Sequence, residues 1–285
     1  MFADDTNLFY SHYDIKTLFN TVNEELKKLV IWFTSNKLSL NIKKTKYTFF
    51  HKNSVKDNIP LKLPDLHIFD KTIERTSSVK FLGVMLDENI TWSNHINIIE
   101  KKIAKNIGLL YKARALLNKE SLKTIYFSYM HSYLNYANIA WASTYFTKLK
   151  TIHYQQKHAA RIIFYEDILT HSRPLLRSLN ALNVYQINLY QHANFMYKFK
   201  NNQTPKVFDD MFEKPSHKYP TRSSEVSYTY KKFSLNSSKY SISIRGPKIW
   251  NELITKDEKE INSFSLFQKY VKAKLLESDN ERKYF

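Results

Sequence analysis

The sequence predicts an α+β chain, in which a short mixed segment of strands and helix gives way to a long, mainly helical region. Two observations carry this. Up to about residue 92 the apolar residues come in short alternating runs around one amphipathic stretch, and beyond it they recur at helical spacing. Hydrophobic residues make up 43% of the 285 and aromatics 15%, enough apolar matter for a true core. No internal repeat or low-complexity tract interrupts the pattern. A second boundary falls near residue 170, so the predicted organisation is 1–92, 93–170 and 171–285, the last with a short β segment.

Taken in order, an apolar start broken by Asp4-Asp5-Thr6-Asn7 and followed by Leu8-Phe9-Tyr10 reads as a hairpin. Leu18, Val22, Leu26, Leu29, Val30 and Phe33 predict a helix, with Asp14 as its N-cap. Leu38 to Ile42 alternates and Tyr47 to Phe50 is β-rich. Residues 52–64, with two prolines, read as a loop. Leu66-His67-Ile68 and Lys71-Thr72-Ile73 suggest a second hairpin. Val79 to Leu86 is a strand pair, or one strand with a turn at Gly83. Helices are then predicted over His95–Leu117, Ser121–Ala142, Leu149–Tyr165, a short one from Ser172 with Pro174 near its start, and Val184–Phe199. Val226 to Ile244 has strand character. Pro247–Leu253 and Phe264–Leu275 close the chain as helices.

Composition excludes several function classes. With only 3 glycines, Gly-rich phosphate loops of the P-loop or dinucleotide type are not available. The absence of cysteine removes disulfides, Cys-ligated zinc and thiol nucleophiles. No apolar run approaches the roughly 20 residues of a membrane span, and polar residues follow Met1 too soon for a signal peptide. An intracellular location, cytoplasmic or nuclear, is therefore expected, with no membrane partner. A net charge of +18 makes a polyanion the first partner to consider.

Three groups of residues bear on chemistry. Adjacent carboxylates on a tight turn, such as Asp4 and Asp5, offer the hard oxygens that Mg²⁺ or Mn²⁺ takes, although most Asp pairs only form turns. Lys101, Lys102, Lys105, Lys112 and Arg114 interleave with apolar rows, as expected of helices that pack inward and meet a phosphate backbone outward. Tyr126, Phe127, Tyr129, Tyr133, Tyr136 and Trp141 recur at near-helical intervals, which favours core packing over base stacking. The ten histidines lack metal-ligand spacing, and no nucleophile elbow marks a hydrolase.

The order of several motifs resembles non-LTR, jockey-like retrotransposon reverse transcriptases. Phe2-Ala3-Asp4-Asp5 is similar to their catalytic turn. Asn36 through Lys46 is similar to the segment that follows it. Phe81 through Asp87, with Thr91-Trp92 and His95-Ile96, resembles the primer-grip strands and the start of the thumb. Tyr133-Leu134-Asn135-Tyr136, Gln155 through Arg161, Phe195 through Lys198 and Ser243 through Asn251 resemble the region after the thumb. The resemblance implies the last part of a palm, short antiparallel strands plus a helix (residues 1–92), a helical thumb (93–170) and a C-terminal helical region (171–285). It implies an RNA-directed DNA polymerase, a nucleotidyltransferase of a mobile element, acting on RNA template and RNA–DNA or DNA duplex. Asp4 and Asp5 would hold Mg²⁺ or Mn²⁺, Lys44 would face the nucleotide phosphates, and Leu82-Gly83-Val84 would support the primer end.

The family's other catalytic Asp strand and its fingers lie upstream of the turn, so the expectation from the resemblance is a truncated palm, weak metal binding and no polymerase activity in this chain alone. Exposed strand edges predict that residues 93–285 fold better than 1–92. Two further readings remain: a non-enzymatic basic nucleic-acid-binding module, and a helical structural or partner-binding protein.

Overall fold

The computed structural model describes residues 6–52, 59–60, 62–69, 71–215, 227–230, 238–278 and 281–285. The chain divides into two compact units, residues 1–94 and 95–285.

The first unit is built on one helix, α1 (Ile15–Ser35). Asp14 caps it, its carboxylate accepting from the Thr17 N–H at 2.7 Å. Phe19, Leu26 and Phe33, seven residues apart, are its buried positions and define one face. The chain leaves the helix through Lys37 in the left-handed region. Six short strands follow: β1 (Lys46–Tyr47), β2 (His67–Ile68), β3 (Lys71–Thr72), β4 (Glu74–Arg75), β5 (Ser78–Phe81) and β6 (Val84–Asp87). They form three two-stranded ladders. The β2–β3 pair is antiparallel with Ile68 opposite Lys71, as the second hairpin required. The β5–β6 pair is antiparallel with Phe81 opposite Val84. The β1–β4 pair is parallel, Lys46 opposite Glu74, which corrects the expectation of antiparallel strands throughout.

Two expected strands are absent among the described residues of this unit: Leu8–Tyr10 is irregular, and Leu38–Ile42 runs as coil into a turn. Both are apolar enough for a strand but have no paired neighbour among the described residues; the first half of the Leu8–Tyr10 hairpin, residues 1–5, lies outside them. The core joins Phe19 and Leu26 to Leu63, Leu66, Ile68 and Ile73, each worth roughly 1.5–3 kcal/mol of burial. Asn23 fastens α1 to β2. Its amide donates to Asp65 O and its oxygen accepts the His67 N–H, both at 3.0 Å, so a helix side chain stands in for a missing strand partner.

The helical unit begins within α2 (Ser93–Ala113). It contains α3 (Lys119–Tyr126), a π-helical segment Phe127–His131, α4 (Ser132–Asn135), α5 (Asn138–Trp141), α6 (Lys150–Phe164), α7 (Ser172–Ser178), α8 (Val184–Lys200), α9 (Ile242–Leu253), α10 (Lys256–Glu260) and α11 (Phe264–Glu277). Its centre is α8, which is buried on nearly every side. Val184, Ile187, Leu189, Ala193, Met196 and Tyr197 are all in the core, packed by α9, α11 and α5. An Asn183/Gln186 capping box starts α8. Gln156 of α6 ties this start to two other elements: its oxygen accepts the Val184 N–H at 2.7 Å while its amide donates to the Tyr126 hydroxyl and Leu182 O. Gly246 allows α9 to approach α8, since a Cβ there would lie 2.8 Å from Met196 Sδ.

The strand character read over Val226–Ile244 falls partly outside the described residues, at 226 and 231–237, and is corrected over the rest. Residues 227–230 are irregular, Ser238–Tyr240 is a 3₁₀ turn and Ile242 opens α9. The β-branched residues of that stretch are overridden by a helical burial stripe one turn later, Arg245, Ile249, Trp250 and Leu253. No helix among the described residues is long and apolar enough to cross a membrane.

Candidate nucleic-acid interface

Asp4 and Asp5 lie outside the described residues. Among the described residues no group of three or more His, Asp or Glu is placed to hold a metal ion. Lys44 is exposed on the turn between α1 and β1, its N–H bonded to Asn41 O at 3.0 Å.

Leu82 and Gly83 are the two central residues of the β5–β6 turn, with φ of 44° and 82°. Positive φ at both positions is the geometry of a type I′ turn, which favours Asn-Gly. Leucine there is strained, and its side chain stands half-exposed at the hairpin tip, whereas Val84 is buried. The hairpin ends on Asp87, whose carboxylate accepts the N–H groups of Thr91 and Trp92, both at 2.9 Å. That anchor turns the chain into α2 and gives a physical reason for the Asp87…Thr91-Trp92 spacing.

In α2, Ile96, Ile99, Ile103 and Leu110 are buried. Lys101, Lys105 and Lys112 share the outward face and are exposed. Gly108 lies between them with open space where a side chain would stand. The stripe spans about 16 Å at 1.5 Å per residue, roughly five steps of a nucleic-acid strand. Lys102 takes a different role, its ammonium 4.6 Å from the Tyr133 ring. Arg114 lies just beyond the helix with its guanidinium 4.8 Å from the Tyr165 ring.

Helix α6 runs beside α2 in the same direction. Gln155 donates to Glu100 O at one end, and the Tyr165 hydroxyl donates to Arg114 O and Leu117 O at the other. At that second end Tyr111, Arg114, His158, Arg161 and Tyr165, together with the acids Glu166 and Asp167, line a cleft of about 450 Å³. Arg161 is aimed by its Nε–H bond to Thr170 O at 2.8 Å. Further along α6, the exposed Tyr154 ring is flanked by the ammonium groups of Lys150 and Lys157 at 5.6 and 5.4 Å. Cations beside exposed aromatic faces hold phosphates and stack bases without reading sequence.

Sequence reasoning misses Lys119, Lys150, Lys157, Arg161, His158, Tyr111, Tyr154 and Tyr165 as candidates. A sequence signal for them exists: residues 101–165 hold 11 Lys and Arg and one acid, Glu120, which is paired with Lys123 at 2.8 Å. The aromatic row is split rather than all core. Tyr126 and Trp141 are fully buried, while Phe127, Tyr129 and Tyr136 are exposed.

The charge is divided unevenly between the units. Residues 1–94 carry 13 Lys and Arg against 11 Asp and Glu, a net +2. Residues 95–285 carry 31 against 15, a net +16. Buried histidines in the helical unit stay neutral. Burial, helped by nearby lysines, holds His95, His131 and His153 down to about 4. Burial, then Arg245, holds His192 down to about 3. His192 and Ser143 sit 3.4 Å apart, but an imidazole that weakly basic cannot deprotonate a serine near neutral pH.

No protein-family model, no curated protein and no solved structure matches the chain.

Proposed function

We propose that this chain binds nucleic acid through the α2–α6 face of its helical unit, as the thumb and C-terminal part of a retrotransposon-type RNA-directed DNA polymerase. The observation that carries the binding is the cationic stripe of Lys101, Lys105 and Lys112 beside Arg114, Arg161 and exposed tyrosines, in a unit of net charge +16. The polymerase ancestry rests on the order of the resembling motifs. The β5–β6 hairpin, its Leu82-Gly83 turn and the Asp87 anchor before α2 are compatible with a primer-supporting role.

In this reading Lys101, Lys102, Lys105, Lys112 and Arg114 contact the backbone of RNA template or RNA–DNA duplex. Lys44 faces nucleotide phosphates, and Asp4 with Asp5 contributes to a Mg²⁺ or Mn²⁺ site. Such binding is electrostatic and sequence-tolerant, with affinity falling steeply as salt rises.

The test is gel retardation of an RNA–DNA duplex across a salt series. Lack of retardation at low salt would refute the binding and favour a helical partner-binding protein. Primer extension on an RNA template tests the chemistry separately. Incorporation abolished by Asp4→Asn supports a polymerase site, and no incorporation confines this chain to binding.

A further inference from the structure

Arg245 sits in the second turn of α9 and is only 2% exposed. Among the described residues its Nε, Nη1 and Nη2 meet no hydrogen-bond partner. The guanidinium stays protonated at neutral pH, because burial lowers its pKa only to about 9. Phe285 covers one face of the group, its ring centroid 3.8 Å from Cζ. A cation–π contact uses the face, whereas the N–H donors project in the plane and are left unanswered. No Asp or Glu side chain offsets the charge among the described residues: the favourable electrostatic neighbour is the Tyr240 hydroxyl, and His192 nearby is neutral. A buried charge left in this state is strongly disfavoured unless an acceptor joins it.

The surroundings suit an oxyanion. Side chains on a helix lean toward its N-terminus, so Arg245 reaches back toward the first turn of α9. That turn has no side-chain cap, since Ser241 makes no capping bond; the Ile244 and Arg245 N–H groups bond Ser241 O at 3.1 and 2.9 Å, and the helix start is a positive end. Ser241 Oγ and Ser243 Oγ lie 2.9 Å apart beside it. Lys239 Nζ is held nearby by donating to Phe285 O at 3.1 Å. Phe285 in turn meets Phe146 and Tyr185 edge-on at 5.9 and 5.3 Å. The Phe285 ring, at the end of the 281–285 segment, thus forms a small aromatic-held cover over the guanidinium.

We propose that Arg245, with Ser241, Ser243 and Lys239 at the start of α9, anchors a site for a single phosphate group beneath the cover formed by Phe285. This site shares no residue with the α2–α6 face and stands whether or not that face binds a duplex. The ligand chemistry is a phosphate dianion, met by guanidinium, hydroxyl and ammonium donors. Its source is either free inorganic phosphate or the terminal phosphate of a nucleic acid strand.

Thermal unfolding of the full chain tests this, with inorganic phosphate replacing chloride at constant ionic strength. A saturable rise in Tm is expected. Arg245→Lys keeps the charge but loses the bidentate fork, so its apparent phosphate affinity should weaken roughly ten- to hundredfold. Phe285→Ala should strengthen the response by loosening the cover. A wild-type Tm indifferent to phosphate, or an equal rise in Arg245→Lys, would overturn the proposal. A 5′-phosphorylated oligonucleotide that raises Tm beyond its unphosphorylated twin assigns the site to a strand end. A response to inorganic phosphate without that difference assigns it to the free ion.

Discussion

The two units carry lysine and arginine at similar density, yet one is nearly neutral and the other is strongly cationic. The N-terminal unit answers its cations locally: Lys27 with Glu24, Lys28 with Glu25, Lys46 with Glu74 and Arg75 with Glu88. In the helical unit the stretch from 101 to 165 has a single acid. Its cationic face is therefore produced by the removal of acids rather than by the addition of lysines. Exposed ion pairs contribute little to stability, so the local pairs of the first unit matter chiefly because they cancel its field.

The largest expected effect tests whether each unit stands on its own core. Phe19→Ala should cost about 3–5 kcal/mol and unfold the N-terminal unit selectively. Helical circular dichroism and near-ultraviolet signals from Trp141 and Trp250 should persist. Simultaneous loss of both would break the comparison.

Acid should act in the opposite sense. His95, His131, His153 and His192 have folded pKa values depressed to about 3 to 4, below the unfolded value near 6.5. The unfolded chain thus binds more protons through this window. The stability of the helical unit should be complete above pH ~6.5 and decline as pH falls toward about 4. His192, wholly buried, should contribute most. Urea midpoints measured between those limits check the slope, and a flat profile would contradict the neutral burial of these rings.

A charge-reversed Lys101→Glu, Lys105→Glu, Lys112→Glu variant sharpens the contrast in field. All three side chains are exposed, so the fold should be kept. Duplex affinity should drop on the order of a hundredfold at low salt, and the salt slope should shrink by about three. Lys27→Glu with Lys28→Glu in the other unit should change little. The smallest effect expected is at the hairpin tip: Leu82→Asn relieves a left-handed leucine and should stabilise by about 0.5–1 kcal/mol, read from the midpoint of the first unit's transition.

Much of this architecture was readable where one face is buried and the period is regular. The seven-residue spacing of Phe19, Leu26 and Phe33, the Asp14 cap and the isoleucines of α2 each point to one local solution. The β5–β6 hairpin followed from Gly83. The parallel β1–β4 pair was not readable, because two-residue strands 28 positions apart leave no periodic trace. The second half of α9, Pro247–Leu253, was readable as a helix, whereas its start was hidden by serines and isoleucines, and it holds through burial against α8 rather than propensity. The cationic face was half legible: the lysines of α2 stand out in the chain, but their alignment with the arginine and tyrosines of α6 is a product of packing.

The π-helical segment between α3 and α4 makes the number of residues there matter more than their identity. Tyr126, Met130 and Leu134 are all buried and fall four residues apart. An α-helix advances about 40° too far at each such step, so their line would wander off the core. The wide i→i+5 turn over Phe127–His131 absorbs that drift. The segment therefore behaves as a stored one-residue insertion. Deleting a residue from it would restore ordinary α-helical phase but swing everything after it by about 100°. That would carry Leu134 off the core and bring Tyr133 or Tyr136 inward, so this stretch should tolerate substitutions far better than any change in its length.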